Sequence, residues 1–187
     1  MTDRDLLKAY ADSSDAESLD AFVRRYEEPL MRFTARFLGD GEAAQDVVQE
    51  TFLQVARHPR RLLTVENCHN WLLRVARNLG ITRLRQVARF RKHTQVLADR
   101  LAGSAQDRSQ EASRALEQEE TRKKVRAEIE KLGPRHREVL LLKIQEEKSY
   151  KEISEITGLT VTNVGYLLHT AMKDLSRRLN HSREDLS

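Results

Sequence analysis

Between Arg57 and Lys92 the chain carries ten basic side chains against one acid, Glu66, a local balance of +9. The ten are Arg57, Arg60, Arg61, Arg74, Arg77, Arg83, Arg85, Arg89, Arg91 and Lys92. Guanidiniums in such a row make bidentate hydrogen bonds to phosphates and stack on bases. Neutralised phosphates release their condensed counterions, and that release drives binding. The stretch before it, Met1–Ala56, holds six basic and twelve acidic residues, a balance of −6, while the whole chain nets only +4. A split this sharp marks a docking surface for a polyanion, with nucleic acid as the first candidate.

Helical phasing sharpens that reading. At about 100° per residue, Arg74, Arg77, Asn78, Arg85, Arg89 and Lys92 share one arc, opposite Leu72, Val75, Ala76, Leu79, Val87 and Phe90. Solvated helices usually mix signs for i,i+4 support, and this one does not. Arg83 falls on the apolar side, so the helix is expected to bend or end between Gly80 and Arg85. Trp71, the only tryptophan, has two readings: a stacking partner for bases, or a core anchor at the start of a helix.

The sharpest local pattern is YKEISEITGLTVTNVGYLLHTAMK, Tyr150–Lys173. Residues 152–156 make a short helix, Gly158 a tight turn, and Leu159 a core plug. Thr160 or Thr162 caps a second helix lined by Val164, Leu168, Ala171 and Leu175. That spacing is a helix-turn-helix, whose second helix lies in the major groove. Its outward residues are Thr162, Asn163, Tyr166, His169, Thr170 and Lys173.

Other chemistries find no support. One cysteine, Cys68, excludes an internal disulfide and a multi-thiolate zinc site. Six scattered histidines supply no second half to a Cys68–His69 ligand pair. No Gly-rich phosphate loop, nucleophile–base set or carboxylate pair is present, so neither a cofactor nor enzymatic activity is expected. No apolar run approaches the roughly 20 residues needed to cross a bilayer. The acidic, polar N-terminus is the opposite of a signal peptide, and the chain reads as soluble and cytoplasmic.

The elements that must position these residues read as all-α. Leu, Arg, Glu and Ala dominate, and seven glycines with three prolines leave few breakers. A hydrophobic content of 39% with 33% charge suits two small helical domains better than one large core. Asp15 or Ser18 caps a first helix with Leu19, Phe22, Val23, Tyr26, Leu30, Phe33 and Phe37 as its stripe. Pro29 is expected to kink it or mark a join, and Gly39-Asp40-Gly41 to end it. A second helix covers about Glu42–Arg57 on Ala43, Val47, Val48, Thr51, Phe52 and Val55, stopped by His58-Pro59. The segment from Arg60 to His69 reads as a loop, and a third helix starts near Asn70. The first domain spans 1–92, a flexible linker 93–115, and a second helical domain 116–187. Within the second domain, Gly133-Pro134 precedes a helix from Arg135 to Ile144.

These pieces, in this order, resemble an extracytoplasmic-function sigma factor of the sigma-70 type. AAQDVVQETFLQVARHP is similar to the segment that binds the β′ clamp helices of RNA polymerase. Asp46, Gln49, Glu50 and Phe52 fall on recurrent positions there, with Leu53 beside them. NWLLRVARNLGITRLR resembles the stretch that engages the minus-ten promoter element. The resemblance implies a DNA-binding set of Arg60, Arg61, Asn67, Arg74, Arg77, Asn78 and Arg85, with a base of the non-template strand flipped into a pocket at the Arg60–His69 loop. LGPRHREVLLLKIQEEKSYKEISEITGLTVTNVGYLLHTAMKDL resembles the region that reads the minus-thirty-five element and rests on the β flap. It implies contacts from Thr160, Thr162, Asn163, Tyr166, His169, Thr170 and Lys173.

The chain departs from the family pattern at named places. Thr82 stands where Asp is common, Ser154 and Thr157 where Ala and Leu are, Gly165 where Lys is frequent, and Leu167 and Thr170 where Arg is. The resemblance implies RNA polymerase core and promoter DNA as partners, and leaves room for an anti-sigma protein clamping both domains. Two other classes of function remain open at this point. A stand-alone helix-turn-helix repressor would dimerise on a two-fold operator, and no coiled coil or dimer helix is evident. A protein binding RNA or acidic lipid through its basic face would leave the acidic QDVVQETF helix unexplained.

Overall fold

Helix α1 (Asp3–Ser13) begins the chain because Thr2 and Asp5 cap each other. The Thr2 hydroxyl accepts from the Asp5 amide at 3.2 Å, and the Asp5 carboxylate accepts from the Thr2 amide at 2.8 Å. It buries Leu6 and Leu7 and was not anticipated from the acidic N-terminal composition. Asp15 caps α2 (Ala16–Leu38), as expected, accepting from the Glu17 amide at 3.2 Å. This helix runs unbroken through Pro29, where a kink or join was expected. Gly39 closes it in the left-handed conformation at φ 71°, and Asp40 at once caps α3 (Gly41–Arg57).

The structure is a computed structural model that describes residues 1–98 and 123–184, with side chains described over 1–90 and 123–180. All elements among the described residues are helical, with no strand. After α3 comes one helical turn, α4 (Pro59–Leu62), inside the segment expected to be loop. Helix α5 (Cys68–Ala98) follows without interruption. No break occurs between Gly80 and Arg85, because Arg83 reaches across to Asp46 of α3 at 3.1 Å and thus has a reason to lie on that side. Helix α5 also carries on past 92, so the first six residues of the expected linker are helical. Residues 99–122, which hold the rest of that linker and the expected start of the second domain, lie outside the described residues.

The second domain comprises α6 (residues 123–130), α7 (Pro134–Ile144), α8 (Tyr150–Thr157) and α9 (Val161–Glu184). Ser149 and Glu152 form a second reciprocal capping box at the start of α8. Gly158 supplies the left-handed residue, at φ 73°, that turns α8 into α9. Thr160 caps α9, its hydroxyl accepting from the Asn163 amide at 3.2 Å. Val164, Leu168, Ala171 and Leu175 are all buried, as their spacing predicts.

Phe22, Leu30, Phe33, Phe37, Ala44, Val48, Val55, Leu62, Leu72, Leu73 and Ala76 pack the first domain. Each large side chain among them contributes roughly 1.5–3 kcal/mol by leaving water. That apolar cluster does not stop at the domain boundary. It continues into Val139, Leu141, Leu142, Ile153, Ile156, Val164 and Leu168, because α7 packs on α2 and α8 on α5. On α5 itself, Leu72 and Ala76 face inward as expected, whereas Val87 and Phe90 are exposed beyond the reach of the core.

The α2–α5 crossing is closest at Gly80, where an added Cβ would stand 3.0 Å from the Phe37 ring and 3.2 Å from Leu38. Phe37 is fully packed and has no room to retreat. Gly80→Ala therefore sets about 1–3 kcal/mol of overpacking against a helix-propensity gain of about 1 kcal/mol. The expected result is a net loss near 1 kcal/mol in urea denaturation; an unchanged or raised midpoint would contradict this packing.

Candidate nucleic-acid interface

Helix α5 is held by Leu72, Leu73 and Ala76 on its buried side, which fixes where its polar side points. Arg74, Asn78 and Arg85 are exposed there. Arg77 shares their arc but is not free: its side chain is only 18% exposed, and its Nε donates to the carboxylate of Glu138 on α7. Its Nη1 donates to Asn78 Oδ1 at 3.0 Å. Burial pushes the Glu138 carboxyl above the usual range even though Arg77 pulls it down. Desolvation thus outweighs the attraction of the pair.

The segment before α5 shapes a cavity of about 650 Å³, lined by Thr2, Asp3, Arg4, Tyr26 and residues 62–68. Arg4 braces the loop by donating to the Leu63 carbonyl at 2.9 Å. The Tyr26 hydroxyl donates to Asp3, which also pairs with Arg25. Burial first, then that bond to Asp3, raise the Tyr26 hydroxyl pKa, so it stays protonated. Burial and the nearby Asp3 carboxylate likewise raise Cys68 to about 11, leaving an unreactive thiol. Asn67 starts α5 as its cap, its Oδ1 accepting from the Asn70 amide at 3.0 Å. The cavity has the size and mixed lining to take one flat heteroaromatic ring.

A second cavity, of about 560 Å³, lies between the domains. Asn67, Asn70, Trp71 and Arg74 line it from the first domain, and Lys151, Glu152, Glu155 and Ile156 from α8. Asn70 Nδ2 donates to Glu152 Oε1 at 3.1 Å. The Ser149 amide and hydroxyl, and then Asn70, hold the Glu152 carboxyl down at about 2. Trp71 is partly buried against the core, as the core-anchor reading expects, and also lines this cleft.

Arg60 and Arg61 lie on the α4 turn rather than on the α5 face. Both are exposed, and Arg60 pairs with Asp12 of α1 at 3.1 Å. Sequence reasoning missed Thr2, Asp3, Arg4 and Asn70. The first three were signalled by the Thr2–Asp5 capping spacing, whereas Asn70 carried no signal of its own.

Two further surfaces are built from the expected residues. On α3, Asp46, Gln49 and Leu53 are exposed and Glu50 half-exposed, one turn apart along a single face, with Phe52 packed partly beneath. Asp46 pairs with Arg83, and Glu50 with Arg57 at 3.0 Å. On α9, Thr162, Asn163, Tyr166, His169 and Lys173 are exposed, Tyr166 at 68%. Thr160 is committed to its cap, and Thr170 donates its hydroxyl to the Tyr166 carbonyl at 2.9 Å. No helix among the described residues is long and apolar enough to cross a membrane.

Comparison with known proteins matches these two halves separately. Sigma-70 region 2 covers residues 22–90, and Sigma-70 region 4 covers residues 122–175. The ECF RNA polymerase sigma factor SigL of Mycobacterium tuberculosis is 30% identical over 88% of this chain and 90% of its own length. RNA polymerase sigma factor YlaC of Bacillus subtilis is 25% identical over 90% of this chain and 96% of its own. The sigma factor RpoE of Bartonella quintana, solved with the anti-sigma factor NepR, shares the fold at a TM-score of 0.69 and 18% identity. That match covers 88% of this chain and 98% of that one. CnrH, solved with the cytosolic domain of CnrY, does so at 0.65 and 24% identity, over 96% and 97%. With both halves matched in order, and a 30% identical relative spanning nearly all of it, this chain belongs to the extracytoplasmic-function sigma factors of the sigma-70 family, the promoter-specificity subunits of RNA polymerase.

Proposed function

We propose that residues 1–92 bind polymerase core and capture the minus-ten region as a single strand, while residues 116–187 read the minus-thirty-five element. The observation that carries this is the cavity of about 650 Å³ at the loop before α5, roomy enough for a flipped base, next to a helix with a guanidinium-bearing face. Extruding a base from a duplex costs a few kcal/mol. A cavity lined by Asp3, Asn67 and loop backbone offers hydrogen bonds to repay it. Arg74, Arg77, Asn78 and Arg85 then hold the strand that carries the base, with Arg60 and Arg61 reaching its phosphates from the α4 turn. The energy for opening comes from binding, and no catalytic step is assigned to this subunit.

The acidic α3 face, with Asp46, Gln49, Glu50, Phe52 and Leu53, takes the β′ clamp helices of the core. On α9, Asn163, Tyr166, His169 and Lys173 contact base edges and phosphates, Thr160 and Thr162 hold the helix start near the backbone, and Thr170 lies beside Tyr166. The second domain rests on the β flap. An anti-sigma protein is a further proposed partner, supported by the sigma factor RpoE of Bartonella quintana, a protein of this fold solved with the anti-sigma factor NepR. The place of action is the cytoplasm, with the polymerase.

Run-off transcription with core polymerase on a promoter library tests the whole reading: a specific start site is expected, and none under any salt or template topology would refute it. Binding of duplex promoter by a dimer of the chain alone would favour a repressor instead. Within the holoenzyme, Arg77→Ala with Asn78→Ala should impair duplex promoters at least tenfold more than pre-melted ones, about 1.4 kcal/mol of opening energy. Equal loss on both templates removes the melting role. Glu50→Lys should weaken core binding by about tenfold in a fluorescence titration, and unchanged affinity would remove α3 from that surface.

A further inference from the structure

Two carboxylates, Asp3 and Glu66, and one guanidinium, Arg4, line the cavity of about 650 Å³ before α5. Arg4 is turned onto the Leu63 carbonyl at 2.9 Å, where it braces the loop. Of the two acids, Asp3 is the one held in place. Its Oδ1 accepts from Arg25 Nη1 and its Oδ2 from the Tyr26 hydroxyl, both on α2. Arg25 also donates to the Met1 carbonyl at 3.2 Å, which ties the start of the chain to α2. The Asp3 side chain is 23% exposed, whereas Glu66 is an exposed loop residue. An ionised carboxylate has about four acceptor sites, and Arg25 and Tyr26 take one on each oxygen. The sites that remain can only accept.

From this geometry we infer that Asp3 is a specificity-determining residue for the captured strand, selecting a base with an exocyclic amino group and disfavouring thymine. The inference rests on the reading of this cavity as the site of a flipped base. Adenine, cytosine and guanine each present an amino group whose N–H donors match an acceptor-only wall. Thymine has none, and its one ring N–H stands between two carbonyl oxygens that a carboxylate repels. Because Arg25 and Tyr26 hold Asp3 before the base arrives, little ordering is left to be done on binding. Burial, then the bond to Asp3, keep the Tyr26 hydroxyl protonated, so it remains a donor to that carboxylate.

The test uses the holoenzyme and a pre-melted form of the promoter that it selects from the library. The fluorescent analogue 2-aminopurine, placed at each non-template position of the minus-ten stretch in turn, should brighten where a base leaves the stack. That position should carry an amino-bearing base. Its replacement by the analogue without the amino group (purine for adenine, pyrimidin-2-one for cytosine, hypoxanthine for guanine) should weaken binding. A loss of about tenfold is expected, the scale of one hydrogen bond to a charged group. In Asp3→Ala the same replacement should cost no more than about twofold, the signature of two coupled partners in a double-mutant cycle. Asp20→Ala, an equal charge change on the exposed side of α2, should keep the full penalty.

A flipped position whose amino group matters equally in wild type and Asp3→Ala overturns the inference, and so does thymine as the preferred base there. Equal weakening of every template by Asp3→Ala gives Asp3 a structural role only, and overturns it too. If no position brightens, the flipped-base reading of the cavity fails, and the inference with it. Should Asp3→Ala lose helicity by circular dichroism, Asp3→Asn with Arg25→Gln takes its place, since that pair leaves no charge without its partner. It should reduce the penalty of amino deletion severalfold, and an unchanged penalty overturns the inference.

Discussion

Everything in this molecule depends on α5 serving three neighbours with one set of side chains. Leu72, Leu73 and Ala76 must reach the core beneath α2 and α3, and Gly80 must let the Phe37 ring come close. Those two requirements fix the helix in rotation and in height. Once fixed, Arg74, Asn78 and Arg85 have no choice but to face outward, and Arg83 to face α3, where Asp46 meets it. The guanidinium row is thus a consequence of core packing upstream of any role it plays. The same rotation brings Asn70 and Arg77 under α8 and α7, and so sets the seam between the domains.

Local pattern carried most of the secondary structure. The stripe of α3, the Gly158 turn and the four buried positions of α9 were readable because each depends on contacts within a few residues of chain. Helix α1 escaped because Leu6 and Leu7 give too short an apolar signal among charges, although Thr2 and Asp5 stood at capping spacing. The expected break near Gly80 failed for a different reason. Arg83 looked misplaced only because its partner, Asp46, lies on another helix, and phasing along one element cannot see a pair across two. The seam was beyond reach on the same ground, since Arg77 and Glu138 lie 61 residues apart. Candidate positions followed this division: exposure set by helical phase was legible, Asn70 carried no signal, and the capping spacing at Thr2 marked a helix start but not the cavity wall that residues 2–4 form.

The departures from the family pattern in the helix-turn-helix resolve into local chemistry. Ser154 donates its hydroxyl to the Leu159 carbonyl at 2.5 Å, and Thr157 both donates to the Ile153 carbonyl at 2.6 Å and accepts from the Leu159 amide at 3.3 Å. Where Ala and Leu would pack, this chain braces the turn with hydrogen bonds around Leu159. Each is worth about 1 kcal/mol net. Gly165 has ordinary room beside the Tyr150 ring, 3.6 Å from where a Cβ would stand, so its lack of a side chain is not forced by packing. What it changes is the outer surface of α9, which becomes flatter and carries fewer charges, leaving Tyr166, His169 and Lys173 as its most prominent groups.

The seam itself shows why two small domains in contact need not behave as one. A continuous apolar layer from Phe37 to Leu142 would by itself favour a permanent interface. Against it stands Glu138, a carboxylate pushed toward protonation by burial despite a guanidinium at hydrogen-bond distance. Apolar residues in place of such a pair are often neutral or stabilising, so the pair adds little to the strength of the contact. Its effect is on specificity, because the Glu138 charge is paired where α7 meets Arg77 of α5.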